Sequence, residues 1–468
     1  MAYFKIESVG SDANGATMKT EATRETVIEN EHIRLEFQKP GTTEAFFDVS
    51  DLVNDIKSNM KFALQYYNPS VGRDHYPDSD NVASGAYIFK PKRGDMDKKS
   101  YSDFYKQETY KGANTGIHAF NLYFQDSSKT RMYSAIIRLL PGATTVEWEV
   151  QLHGIPVTTF DNKGKEVVVT WSMLDAAFDS ENTFYTDSNG LEMQKRVLNQ
   201  RPDFTLVTDE FASSNYYPIN SALAIRSPST NMQLTVMNDR SQGGSVLANG
   251  EIELMQNRRL LHDDGRGVGE PLNETNGQGW GIQVNTRYFV QLFDYTKTAS
   301  KQRQIQLQVD EPIALFVAKA TSDNISNAVE AEQLTIADFN GDLKIHLFPQ
   351  ARNQILVRLE NMADLFDGTP EETPMFNLEK YCQDLFKSQN PAKTDGVKVH
   401  IRERTLTNNQ DYEEMIKNKF VWPTVSGPSK TTYPADEKVD SIVALQPQRI
   451  RLYAVHYKTP KPQELFLE

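Results

Sequence analysis

The segment "VEWEVQL" puts Val146, Trp148, Val150 and Leu152 on one side of an extended chain and Glu147, Glu149 and Gln151 on the other. Successive strand residues point to opposite faces, so such alternation describes a strand with one face buried and one face wet. The same period recurs in "HIRLEF" with Ile33, Leu35 and Phe37, and in "QIQLQV" with Ile305, Leu307 and Val309. It returns in "KVHIRERTL" with Val399 and Ile401. Half-buried strands of this kind build antiparallel sheets that face one another. Turn residues punctuate them at "LPGAT" (140–144), "DNKGKE" (161–166), "LANGE" (247–251) and "FNGD" (339–342). The last two carry the Asn-Gly pair of tight hairpins. Only 377–388 and 410–420 show helical character. The pattern predicts an all-β protein, with sandwiches as its packing.

A chain of 468 residues exceeds what one core usually holds, so two or three domains are expected. Residues 1–24 read as a leading strand and polar linker, 25–320 as a first β domain, and 330–468 as a second one ending in a proline-containing surface arm. The polar stretch 321–334 marks the break between them. A net charge of −13 argues against nucleic acid, whose phosphates such a surface repels. The local basic cluster Lys90 to Arg93 reads as a solvated face. Cys382 is the single cysteine, which rules out an internal disulfide and suits a reducing compartment at least as well as a secretory one. No apolar run reaches the length of a membrane span. The start "MAYFKIESVG" has neither the basic nor the apolar region of a secretory signal. The sequons at Asn273 and Asn324 are weak grounds for glycosylation.

The stretch "LHDDGRGVGEPLNE" (261–274) is a loop: too glycine-rich for a helix and too charged for a buried strand. His262-x-Asp264 has the spacing of two zinc ligands, but no second motif accompanies it, and a zinc site needs three or four converging donors. The acidic positions do not follow the order of a calcium loop. Pro271 argues against the helix that a phosphate cradle requires. What remains is a rigid, arginine-bearing loop whose aspartates pin Arg266 or cap neighbouring amides. In "SSNYYPIN" (213–220), two adjacent tyrosines face opposite ways, so at least one phenol is expected to point outward. Tyrosine, asparagine amide and arginine are the usual partners of a sugar, although an ordinary core tyrosine reads equally well from the residues alone.

Taken in order, "IENEHIRLEF", "NPSVG", "SGAYIFKP", "GKEVV", "FYTDSNGLEMQKR" and "NYYPINS" carry a resemblance, completed by the long block "NMQLTVMNDRSQGGSVLANGEIELMQNRRLLHDDGRGVGEPLNE". The chain resembles the C-terminal β-rich half of the class II α-mannosidases, glycoside hydrolase family thirty-eight, and most of all their lysosomal branch. The likeness is firm over about residues 25 to 300 and weaker over 330 to 457. It implies a galactose-mutarotase-like β super-sandwich followed by a smaller β-sandwich, with no catalytic (β/α) barrel in this chain. It implies retaining hydrolysis of terminal α-mannose in glycoprotein glycans, by two carboxylates and a zinc ion held in such a barrel. The zinc ligands, nucleophile and acid/base of the family have no counterpart in this chain, so it is expected to be inactive alone. A separate N-terminal half is the implied partner.

Carried over residue by residue, the resemblance makes Tyr217, before the proline of "NYYP", and Arg266, of "DDGRG", the substrate-binding residues. Asp263, Asp264 and Asn215 are expected to position their loops. His262 occupies a place the motif leaves undefined, which lowers the metal reading further. The alternative is a non-catalytic carbohydrate-binding or structural module derived from the same half. Lysosome or secretory route follows from the resemblance; the cytoplasm stays open because this chain shows no signal.

Overall fold

A computed structural model describes residues 23–38, 42–72, 82–92, 98–112, 116–157, 164–298, 301–312, 343–351, 353–364, 375–389, 398–420, 423–424, 427–428 and 442–458. Its contacts divide the chain into two units, one holding the described residues of Ala16–Ile313 and the other those of Ala314–Glu468. The expected break at 321–334, the turn "FNGD", Asn324, residues 1–22 of the leading strand and linker, the start of "DNKGKE" and the arm beyond Lys458 lie outside the described residues.

The larger unit is built on two nine-stranded antiparallel sheets. The first runs, in spatial order, through Val27–Glu29, Ile33–Phe37, Ala45–Asp51, Ile56–Tyr67, Lys165–Met173, Glu251–Arg259, Gln242–Ala248 and Tyr217–Ile219, with Lys99–Ser100 beside Ile56–Tyr67. The second runs through Glu192–Val197, Thr183–Ser188, Ala222–Ser227, Met232–Asn238, Val284–Asp294, Val146–Leu152, Arg131–Leu139, His118–Gln125 and Asp103–Lys111. The alternating segments face inward as read: Val146, Trp148, Val150 and Leu152 join Ile33, Leu35 and Phe37 in one core. An aromatic seam crosses it, with ring centroids 4.7 Å apart at Phe62–Trp148, 5.7 Å at Phe62–Trp171 and 4.9 Å at Trp171–Tyr288. Offset and edge-on rings at these distances add to the area they bury. Gly250 takes φ +74° in the turn between Gln242–Ala248 and Glu251–Arg259, which is why "LANGE" closes a tight hairpin.

The central strand Lys165–Met173 is buried on both sides, apart from half-buried Lys165. Val167, Val169 and Trp171 enter the core, while Glu166, Val168, Thr170 and Ser172 lie on the opposite face. Residues 82–92 and Lys98 contribute to covering that second face: Phe89 packs on Tyr67, and Lys98 reaches Glu251 and Glu253.

Two expectations fail in this unit. "QIQLQV" is not a strand but part of the helix Lys301–Asp310. Gln302 and Gln306, four apart, fall on one helical face and are buried, leaving Ile305, Leu307 and Val309 only half-buried. The Gln302 amide receives the Gln233 amide N–H at 2.8 Å, and Gln306 donates to the Gly190 carbonyl at 2.8 Å. The buried face is therefore the polar one, the reverse of what alternation suggests. Lys90 is no solvated cation either: it is buried, with its ammonium 3.3 Å from Glu210.

In the smaller unit, Leu343–Ala351, Gln354–Asn361, Ile450–Lys458 and Lys398–Arg404 form a four-stranded antiparallel sheet. Helix Leu378–Gln389 sets Leu378 and Cys382 in a core with Val357, Val455 and Tyr457. Burial pushes the Cys382 thiol up to about 12, so it behaves as a small apolar side chain. The second expected helix forms over Tyr412–Lys417.

Candidate functional site

The loop 261–274 is clamped at its start. Asp264 is buried; one carboxylate oxygen accepts the Tyr87 backbone N–H at 2.8 Å and the other the Arg266 backbone N–H at 2.9 Å. Gly85 makes this approach possible, because a Cβ there would lie 2.6 Å from the Asp264 side chain. Burial raises the Asp264 pKa, but the N–H groups of Tyr87, Arg266 and Ile88 outweigh it and hold the carboxyl below its usual range. Asp263 accepts the Gly265 N–H at 2.9 Å. Gly265, Gly267 and Gly269 then take φ of +71°, +123° and +73°, a path that only glycine follows without strain. So the aspartates cap amides rather than pin the guanidinium, and Arg266 is exposed beside a loop whose Tyr87 is 68% exposed. Tyr87 is a residue that the sequence reading missed; "SGAYIFKP" contained it without a functional signal.

Beneath this rim, the covered face of the first sheet carries ion pairs. Arg258 donates to Glu166 at 2.8 Å and to the Ile88 carbonyl at 2.7 Å, tying the 84–90 loop to the central strand. Glu166 is fully buried, and its second oxygen has no partner among the described residues. Burial raises its pKa, and Arg258 and Ser84 only partly offset this. Glu253, also fully buried, accepts hydrogen bonds from the Tyr67 hydroxyl at 3.0 Å, from Lys98 at 2.6 Å and from the Tyr216 hydroxyl. Burial depresses the Lys98 pKa, but Glu253 and Glu251 outweigh it and hold the ammonium above the usual lysine value. Burial and then Glu253 push the Tyr216 phenol well up. Arg258 and Lys98 tie these carboxylates together across neighbouring strands and loops, which makes the cluster a brace for the sheet.

Tyr216 and Tyr217 do face opposite ways, but the expected outward phenol is absent: Tyr216 is half-buried and Tyr217 is 9% exposed. Tyr216 packs on Phe89 at 4.5 Å. Tyr217 joins the core edge-on to Phe184 at 5.6 Å. The guanidinium carbons of Arg196 and Arg201 lie 4.4 and 4.6 Å from the Tyr217 ring centroid. Asn215 is fully buried and sets this arrangement from behind: it accepts the Asn199 backbone N–H at 2.8 Å and donates to the Asn199 side chain at 2.9 Å. Arg201, two residues on, donates to the Ser214 carbonyl at 2.6 Å. The sequence reading missed both arginines, although "FYTDSNGLEMQKR" ends on Arg196. Among the described residues, no hydrogen bond, ion pair or ring contact joins the Tyr217 cluster to Arg266. A separate cleft of about 450 Å³, lined by Arg138, Glu147, Arg287, Phe289 and helix residues Gln304 and Gln308, holds none of the sequence-predicted site residues.

The two aspartates of the loop 261–274 do not fit zinc. The Asp264 oxygens are committed to amides, and Asp263 has a single buried oxygen without a partner among the described residues. No group of three or more His, Cys, Asp or Glu able to hold a metal occurs among the described residues.

Residues 28–266 match the model of the glycosyl hydrolases family 38 C-terminal domain. The chain is 33% identical over 462 residues to the lysosomal alpha-mannosidase of Bos taurus, covering 96% of this chain and 42% of that protein. It is 32% identical over 440 residues to the lysosomal alpha-mannosidase of Homo sapiens, covering 91% of this chain and 39% of that protein. The chain therefore spans about two fifths of the length of these relatives. Among solved structures, a galactose mutarotase-like protein from Lactobacillus casei matches with a TM-score of 0.28 at 10% identity, covering 57% of this chain and 99% of that one.

Proposed function

The chain belongs to the family of glycosyl hydrolases family 38 C-terminal domains, and from that premise we propose that it is the C-terminal β-rich part of an α-mannosidase acting on terminal α-mannose in glycans. The observation that carries the reading is likeness to lysosomal alpha-mannosidases along 96% of the chain. In this reading a separate N-terminal barrel supplies zinc, nucleophile and acid/base, and no catalytic step is assigned to residues of this chain. Arg266 and Tyr217 contribute to the wall of the sugar pocket. Arg266 is suited to that by an exposed guanidinium on a clamped backbone, held by Asp264 with Asp263 one residue before it. Tyr217 would act from beneath two guanidiniums stacked on its ring, and Asn215 fixes the turn that sets one of them.

The test is recovery of the tagged chain from its own cells, with identification of co-purifying polypeptides and an α-mannosidase assay. A stoichiometric barrel polypeptide with zinc and mannosidase turnover is the expected result. Arg266→Ala and Tyr217→Phe should then each lower kcat/KM by roughly tenfold, the equivalent of ~1.4 kcal/mol of transition-state stabilisation. Thermal unfolding should stay nearly unchanged, because one side chain is exposed and the other keeps its ring. A chain recovered alone or with unrelated proteins, and without turnover, overturns the reading in favour of a carbohydrate-binding or structural module.

A further inference from the structure

We propose that Arg196 and Arg201 form an oxyanion-binding site over Tyr217, one that takes a phosphate or carboxylate group. The strand pairing places it. Arg196 lies directly across from Phe184 on Glu192–Val197, which is the edge strand of the second sheet. Tyr217 lies on Tyr217–Ile219, the edge strand of the first. Phe184 and Tyr217 both belong to the shared core, so Arg196 sits where the two sheets meet at their open margin. Arg201 arrives there from the turn that follows.

The two cations have no carboxylate among the described residues. Arg196 donates from Nε to the Thr186 hydroxyl at 3.1 Å, which leaves both of its amino groups unengaged. Arg201 donates to the carbonyls of Gln200 at 3.1 Å and Ser214 at 2.6 Å. Arg138, Arg258, Arg404 and Arg451 each hold a carboxylate. Two acids of this region are engaged elsewhere: Glu210 on Lys90, and Asp187 on the backbone N–H groups of Gly190, Asn220, Ser221 and Ala222.

Their geometry suits one small anion. Both guanidinium carbons are held against one ring, which puts them within about 9 Å of each other. An oxyanion held between them would place an oxygen edge on each cation, at the ~2.8 Å of charge-assisted hydrogen bonds. Both arginines are half-buried, so water is partly excluded while the site stays open to a solute. The planar fork of arginine favours such an anion over an uncharged hydroxyl. The buried amide of Asn215 preorganises the Arg201 side by fixing Asn199.

The site shares Tyr217 with the proposed sugar pocket, but its test needs no turnover, so the two readings can fail separately. Inorganic phosphate and, separately, acetate are titrated calorimetrically into the full chain at physiological ionic strength. Saturable one-to-one binding of phosphate or acetate is expected, weakened roughly tenfold or more in Arg196→Gln and in Arg201→Gln. Arg201→Lys keeps the charge without the fork and should fall between wild type and Arg201→Gln. Arg131→Gln, which removes a guanidinium stacked on Tyr123, is the control and should bind as wild type. Unfolding midpoints of all variants confirm that each is folded. Absence of saturable binding to the folded wild type overturns the proposal. So does binding that ignores both Arg196 and Arg201, or that Arg131→Gln weakens equally.

Discussion

The strands Lys165–Met173 and Glu251–Arg259 lie side by side at the centre of the first sheet, and their two faces are solved by different physics. Val167, Val169, Trp171, Ile252 and Leu254 face a dry aromatic core. Glu166, Thr170, Ser172, Glu251 and Glu253 face the other way and are just as well shielded, except that Glu251 is half-buried. One face is held by area removed from water, the other by charges whose desolvation is offset only by close partners. The apolar face tolerates loss in proportion to volume. On the polar face, removing one partner leaves the other stranded.

The largest effect is expected on the apolar face. Trp171 is fully buried and touches Phe62, Trp148 and Tyr288. Trp171→Ala should destabilise the larger unit by about 3–5 kcal/mol, read from the urea midpoint. A loss below 1 kcal/mol would mean that the seam can collapse around the gap.

On the polar face, Arg258→Met should cost about 3 kcal/mol, because Glu166 is left buried and without its cation. The double change Glu166→Leu with Arg258→Met should be less destabilising than Arg258→Met alone. If the double variant is the worse of the two, the pair is a net stabiliser and the contrast between the faces is wrong. A smaller effect, about 1.5–2 kcal/mol, is expected for Tyr216→Phe, which removes one hydrogen bond to buried Glu253 and leaves those of Tyr67 and Lys98.

The contrast also explains what the residues alone could announce. Alternation is a one-face signal, so Ile33 to Phe37 and Val146 to Leu152 were legible as strands and as core. It cannot say what a doubly buried strand does with its other face, and "KEVVVTWSM" gave no hint of the Arg258 partnership, 92 residues away along the chain. Nor does it separate a strand from a helix that buries glutamines, which is why 304–309 reads wrongly. Of the candidate site, the Asp264 cap was legible, because an aspartate two residues before an amide in a glycine-rich turn commonly accepts from it. The arginines over Tyr217 were not, since cation–ring stacking between two sheet edges leaves no local period.

The subtlest difference between the faces should appear as the sign of a pH slope within the polar one. Burial raises the Glu166 pKa, with Arg258 and Ser84 opposing it without cancelling it. A raised folded value means that folding takes up the proton, so this contribution is complete below the ordinary glutamate pKa of about 4.3 and is lost as pH climbs through the folded value. Glu251 behaves oppositely: burial raises it, but Lys98 and Ser172 prevail and leave it lowered. Its contribution is complete above about 4.3 and is lost as pH falls through its folded value. Measured as variant minus wild type, the stability of Glu166→Gln should therefore improve as pH rises above the ordinary carboxylate range. The deficit of Glu251→Gln should instead shrink as pH falls below it. Urea midpoints taken from acid to neutral pH decide this, and parallel slopes for the two variants would show that both carboxylates are equally well paired.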